Sequence, residues 1–133
     1  MTDFSDGCSV AFWLKINEWN TSWETFFQAG TNTQAWSGYV FGCLRNSTNS
    51  TLCFTTGNGS SSTQTSMLTP SLETGIWYHI GYVYRDGKCY IYINGKLREN
   101  ETMNERIFTP SIVPDFSKIV KITLGKSNNY SAY

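Results

Sequence analysis

The chain has 133 residues, 40% hydrophobic and 16% aromatic, which supplies one packed core and too little length for a second domain. Only 15% are charged and ten acids balance ten bases, so the surface takes its polarity from Ser, Thr, Asn and Gly. Without a basic stripe, nucleic acid and anionic membranes are excluded as expected partners, and no run is long and apolar enough for membrane insertion.

In chain order, Met1-Thr2-Asp3-Phe4 lacks the basic start and apolar stretch of a signal peptide, so if the parent is exported its signal is expected outside this segment, and Met1 is equally readable as the true start of a phage or cytosolic protein. Val10, Phe12, Leu14 and Ile16 then alternate with Ser9, Ala11, Trp13 and Lys15, the period of a strand with one apolar face. Further β-patterned runs are Thr25 to Ala29, Gly38 to Leu44, Thr51 to Thr55, Ile76 to Arg85, Lys88 to Asn94 and Ile119 to Leu124, each bounded by Gly, Asn, Ser or Pro. Short strands between turn signals predict an all-β antiparallel β-sandwich, one domain over residues 1–133. Gly57 to Thr65 reads as a polar loop, and Asn100 to Thr109 is where a short helical turn is expected.

The most informative segment is Ile76 to Lys96, two strand patterns joined at Asp86-Gly87, a dipeptide suited to the positive φ angles of a two-residue turn. Such a turn pairs Tyr84 with Cys89, Tyr82 with Ile91 and Ile80 with Ile93 on a core face. On the other face it pairs Val83 with Tyr90, Gly81 with Tyr92 and His79 with Asn94. That second face is mixed and aromatic, either a second packed layer or a ligand floor. A three-residue turn, favoured by the like charges of Arg85 and Lys88, would shift every pair by one.

Cys8, Cys43, Cys53 and Cys89 are too widely spread for a zinc or redox motif, and each is expected as a small buried apolar residue inside a strand, with disulfides the second reading. Asn-X-Ser/Thr triplets at Asn20, Asn46, Asn49, Asn58, Asn100 and Asn129 are what a chain rich in these residues produces by chance.

Three runs resemble the laminin-G-like branch of concanavalin A-like jelly rolls: Ser9-Val-Ala-Phe-Trp-Leu-Lys15, Trp77-Tyr-His-Ile-Gly-Tyr-Val-Tyr84 and Tyr90-Ile-Tyr-Ile-Asn-Gly-Lys96, with Ile122-Thr-Leu-Gly125 as a weaker fourth. The resemblance spans about residues 8 to 125 and implies a jelly-roll sandwich. It also implies a further strand before the first run and a closing run after the last, neither matched here. Those two lie together at one sheet edge, so the fold is expected to lack terminal edge strands and to recruit a partner copy or neighbouring domain there.

The same superfold includes β-glucanases, which need two carboxylates about 5 to 9.5 Å apart on the binding face. The acids Asp3, Asp6, Glu18, Glu24, Glu73, Asp86, Glu99, Glu101, Glu105 and Asp115 include no Glu-x-Asp-x-Glu strand, so no enzyme is expected. His79 is the single histidine, and a hydrogen-bonded strand residue is expected of it, not a catalytic base. The resemblance brings a calcium ion into view as cofactor, with Asp3, Asp6 and Asp115 as its carboxylates and surface turns as their plainer role.

Recognition would fall to aromatic rings, which stack on the C–H faces of sugars while amides and hydroxyls take the sugar hydroxyls. Trp19, Trp23 and Trp36 in loops, with Gln34, Asn17 and Asn20 nearby, and Tyr90, Tyr92 and Asn94 on the hairpin form the expected carbohydrate-binding set. Trp13 and Trp77 are expected in the core. The function expected is a non-catalytic carbohydrate-binding or adhesion module of an extracellular, cell-surface or virion protein, its partner a glycan or glycoconjugate. The alternatives are a structural or protein-binding domain, or a fragment of a glycan-processing enzyme.

Overall fold

The computed structural model describes residues 7–19, 25–31, 38–46, 50–60, 65–69, 71–97 and 107–125. Its strands are β1 (Cys8–Lys15), β2 (Thr25–Gly30), β3 (Tyr39–Asn46), β4 (Thr51–Thr56), β5 (Thr65–Leu68), β6 (Trp77–Arg85), β7 (Lys88–Ile93), β8 (Lys96–Leu97), β9 (Ile107–Phe108) and β10 (Lys121–Leu124), and Phe116–Lys118 forms a 3-10 turn. They form two antiparallel sheets. Sheet A runs β1-β6-β7-β8, with β9 also on β7, and sheet B runs β10-β2-β3-β4-β5. The two face one another as a jelly-roll sandwich.

Aromatic rings join the layers. Phe41 of β3 stacks on Tyr82 of β6 with centroids 4.4 Å apart and planes 6° off parallel, and Phe54 of β4 meets the same ring at 4.5 Å. Fully burying side chains of this size stabilises by about 1.5–3 kcal/mol each, and Phe54 and Tyr82 are among the largest that are fully enclosed. The Tyr82 hydroxyl donates to Cys89 Sγ at 3.3 Å, so the polar end of the ring is satisfied inside the core. Burial pushes that phenol well above its usual pKa.

The hairpin has the two-residue turn: Asp86 and Gly87 take φ of 51° and 72°, and the register pairs Tyr84 with Cys89, Tyr82 with Ile91, Ile80 with Ile93 and Arg85 with Lys88. Asn94 and Gly95, at φ 51° and 78°, repeat the device between β7 and β8. The Arg85–Lys88 repulsion is relieved because Arg85 turns to Asp86, 3.3 Å away, and lies over the Tyr90 ring. Ile91 is buried and Ile93 half-buried.

Three short strands escape the sequence pattern. The helical turn expected at Asn100 to Thr109 is corrected where it is described: Ile107 and Phe108 extend along β7, opposite Tyr90 and Cys89, and residues 100–106 lie outside the described set. Thr65, expected in the polar loop, begins β5 on the edge of β4. Lys96–Leu97 adds β8.

None of the four cysteines is in a disulfide, with Cys43, Cys53 and Cys89 buried and Cys8 half-buried. Burial pushes the Cys8 and Cys89 thiols up to about 11, with Cys89 adding a smaller push on Cys8. At the sandwich margin β1 and β10 end their sheets among the described residues. Ile122 and Leu124 pair with Ala29 and Phe27, whose side chains line the core, yet they are 68% and 76% exposed. Apolar side chains on the inner side of β10 are therefore wet.

Candidate functional site

The outer face of sheet A is set by the pairing of β1 with β6 and of β6 with β7. Because Val10, Phe12 and Leu14 turn inward against the core, Ser9, Ala11, Trp13 and Lys15 turn outward. Their partners across β6 are Val83, Gly81, His79 and Trp77. Tyr90 and Tyr92 continue two of these rows on β7. The middle row is low, since Ala11 faces Gly81. A Cβ built on Gly81 would lie 3.5 Å from Tyr92 Cβ, so Tyr92 borders the depression that the glycine leaves.

Around that depression stand aromatic rings. Trp13 packs on His79 with centroids 5.1 Å apart and planes tilted by 59°. Trp77 projects next to them, one outward position along β6, opposite Lys15. At the other end the Arg85 guanidinium sits 5.9 Å from the Tyr90 ring centre. Trp13 and Trp77, expected in the core, are corrected: they are 65% and 59% exposed. The alternation that sends Val10, Phe12 and Leu14 to the core sends Trp13 out, and the described residues put no second layer over either indole.

Asn94 is placed with unusual definition. Its Oδ1 accepts from the His79 N–H at 2.9 Å, and its own N–H donates to the His79 carbonyl at 2.8 Å. The side-chain amide is thereby held at the end of the Trp13–His79 row with its Nδ2 donors left over. Tyr90 and Tyr92 are half-buried on the same face. Thus Tyr90, Tyr92 and Asn94 come together with Trp13, Trp77 and His79.

Trp19 belongs elsewhere. Its ring packs against the core cluster and its indole N–H donates to the Leu72 carbonyl at 3.2 Å. Trp23, Gln34 and Trp36 lie outside the described residues, as do Asn20, Asp3 and Asp6. Asp115 caps the 3-10 turn, accepting from the Ser117 N–H and hydroxyl, with Lys118 Nζ 3.6 Å away. The Ser117 hydrogen bond, and secondarily Lys118, holds its carboxyl below the usual range. Among the described residues no three His, Cys, Asp or Glu side chains converge to hold a metal ion.

The outer face of sheet B has a different character. Gln28, Gly42 and Thr55 form one cross-strand row on β2, β3 and β4. They face away from the core because their neighbours Phe27, Phe41, Cys43 and Phe54 face into it. A Cβ on Gly42 would come within 3.0 Å of the Tyr39 ring, so that ring lies over the glycine, and its hydroxyl meets Thr25 Oγ1 at 3.2 Å. Gln28 and Thr55 are 1% and 0% exposed. Both amide atoms of Gln28 and the hydroxyl of Thr55 are without a hydrogen-bond partner.

The two-sheet sandwich is the fold that comparison with known proteins also gives. The family model described as the concanavalin A-like lectin/glucanases superfamily matches residues 1–132, and the chain belongs to that superfamily. No curated protein matches it. Among solved structures, the chain is similar to a crystal structure of alginate lyase A1-II' carrying two cysteine substitutions, at TM-score 0.46 and 10% identity over 90% of this chain and 60% of that one. It is likewise similar to a family 7 alginate lyase A1-II' variant solved in complex with substrate, at TM-score 0.45 and 10% identity over 94% of this chain and 61% of that one. The chain thus spans about three-fifths of the length of these structures.

The expectation that the chain is no enzyme is corrected by the family, whose description names glucanases beside lectins. A missing pair of carboxylates speaks only to glycoside hydrolysis by paired acid and base, so it gives no ground for excluding catalysis in general.

Proposed function

We propose that the chain binds carbohydrate on the outer face of sheet A, with Trp13 and Trp77 as stacking platforms. The observation that carries this reading is the exposure of two indoles, 65% and 59%, on adjacent paired strands. Exposed aromatic surface held by regular strands is costly in water and useful against the C–H face of a sugar ring. Tyr90 and Tyr92 extend the platform, and the depression at Ala11 and Gly81 gives a ring room to approach the sheet. Asn94, fixed through His79, supplies amide donors for hydroxyls, and Lys15 and Arg85 mark the ends of the face with positive charge. Membership of a superfamily named for lectins and glucanases supports the ligand class.

The test is a glycan array, neutral and acidic, probed with the wild-type chain and with the Trp13→Ala/Trp77→Ala double variant. The reading expects at least one glycan class to be retained by the wild type and lost by the variant, with both chains folded. Binding that survives the double substitution, or a wild type that retains nothing, would contradict it.

A further inference from the structure

We infer that Asn94 is a self-modifying position, whose side-chain amide is hydrolysed in place to a carboxylate through a cyclic imide formed with the backbone nitrogen of Gly95. The chain contains two Asn-Gly pairs, Asn58-Gly59 and Asn94-Gly95. Such pairs are open to this reaction because glycine puts no side chain in the way of its own nitrogen and lets the backbone swing. In one respect the two are alike. Asn58 Oδ1 accepts from the Ser60 N–H at 2.9 Å and Asn94 Oδ1 from the His79 N–H at 2.9 Å, so each has a donor placed for the negative charge that the oxygen gains when nitrogen adds to Cγ. They differ at the nucleophile. The Gly59 N–H donates to the Tyr39 carbonyl at 3.1 Å, and a Cβ on Gly59 would meet the Thr31 and Lys118 side chains at 3.0 and 3.2 Å. Asn94 and Gly95 are both exposed at the turn between β7 and β8. A Cβ on Gly95 would meet nothing within 4 Å, and among the described residues its N–H has no hydrogen-bond partner.

The reaction balances with water alone. The Gly95 nitrogen bonds Asn94 Cγ and gives up its proton, the Cγ–Nδ2 bond breaks, and ammonia leaves. Water then opens the imide. Opening at Cγ leaves aspartate, and opening at the main-chain carbonyl carbon leaves isoaspartate, whose backbone runs through the side-chain methylene. Ring closure needs the Asn94-Gly95 turn, at φ 51° and 78°, to swing out of its left-handed form. The space around Gly95 permits that swing, whereas at Gly59 it breaks a hydrogen bond and displaces two side chains. The product matters because of where Asn94 stands. Aspartate keeps an oxygen for the His79 N–H but replaces two donors with a negative charge, and isoaspartate lengthens the turn that sets Lys96 and Leu97 against Ile93 and Tyr92. Both remove the amide assigned above to ligand hydroxyls. That consequence rests on the sheet A reading, and the modification itself does not.

The experiment is a peptide map by mass spectrometry of the full wild-type chain aged in warm, mildly alkaline buffer, once folded and once in urea, with isoaspartate scored by an isoaspartyl methyltransferase. In urea the two asparagines are expected to convert at like rates. In the folded chain Asn94 is expected to convert at least fivefold faster than Asn58, whose glycine must first give up its hydrogen bond and its packing. Equal rates in the folded chain, a lead for Asn58, or an Asn94 that stays intact while urea converts it overturns the inference. Asn94→Asp supplies one product directly. With the glycan selected on the array, the aged chain and the folded Asn94→Asp chain are both expected to bind at least threefold more weakly than fresh wild type. Unchanged affinity in a chain that the mass map shows converted overturns the claim that the modification acts on this face. A fresh chain that binds no glycan sinks the sheet A reading and leaves the modification, read by mass alone, standing.

Discussion

The two outer faces of this sandwich solve the same problem in opposite ways. Sheet A leaves large aromatic surface in water, with Trp13 and Trp77 more than half exposed, while its polar side chain Asn94 is hydrogen-bonded to the strand beside it. Sheet B shuts polar side chains away, with Gln28 and Thr55 enclosed and unpartnered. Each arrangement costs stability in a manner that packing alone would have removed, by a smaller residue on sheet A or an apolar one on sheet B. On sheet A, where the costly surface is open to solvent, local cost without structural return is where recognition is to be sought.

The comparison breaks most completely when its shared support is removed. Phe41→Ala deletes the ring stacked on Tyr82 and should cost about 3–5 kcal/mol, read as a lower denaturant midpoint, with loss of both faces together. An effect under 1 kcal/mol would mean that the sheets are not coupled through this ring. Gly42→Ala should strike sheet B selectively: its methyl meets the Tyr39 ring at 3.0 Å, and overpacking of this kind costs roughly 1–3 kcal/mol. Glycan binding by sheet A should persist in that variant. If alanine is accepted without loss, the Tyr39 ring does not rest on the glycine.

A pH dependence reports on the interior behind sheet A. Cys8 and Cys89 hold their protons up to about 11, against 9.0 in a solvated thiol. Between those values the unfolded chain releases protons that the folded chain retains, so stability is full below pH 9 and falls as pH rises toward 11. Replacing both cysteines by alanine should flatten that fall in denaturant titrations at pH 8 and 10. A slope unchanged by the substitutions would place its origin elsewhere. Smallest of all in stability is Trp13→Ser, expected within about 0.5 kcal/mol of wild type because the indole is mostly in water. A loss above 2 kcal/mol would make Trp13 a structural residue.

Much of sheet A was legible in the sequence because its signals are local. Alternation over Val10 to Ile16 and the Asp86-Gly87 turn fix which residues share a face, and the register of Tyr82, Ile91 and their neighbours follows from the turn. What covers a face is not local, which is why Trp13 and Trp77 read as core. Sheet B defeats the pattern differently. Along β2 and β4 nearly every residue is enclosed on both sides, so Gln28 and Thr55 carry no mark that separates them from ordinary polar strand residues. The short β5, β8 and β9 carry too few residues for a period to register.

The central claim, that exposed indoles on sheet A meet a sugar, is tested most directly by tryptophan fluorescence. The wild-type chain is titrated with the glycan selected on the array, with acrylamide quenching measured at each step. The account predicts a blue shift and a fall in quenching as Trp13 and Trp77 leave water, both absent from the Trp13→Ala/Trp77→Ala variant. Emission and quenching that stay constant while the glycan demonstrably binds would contradict it.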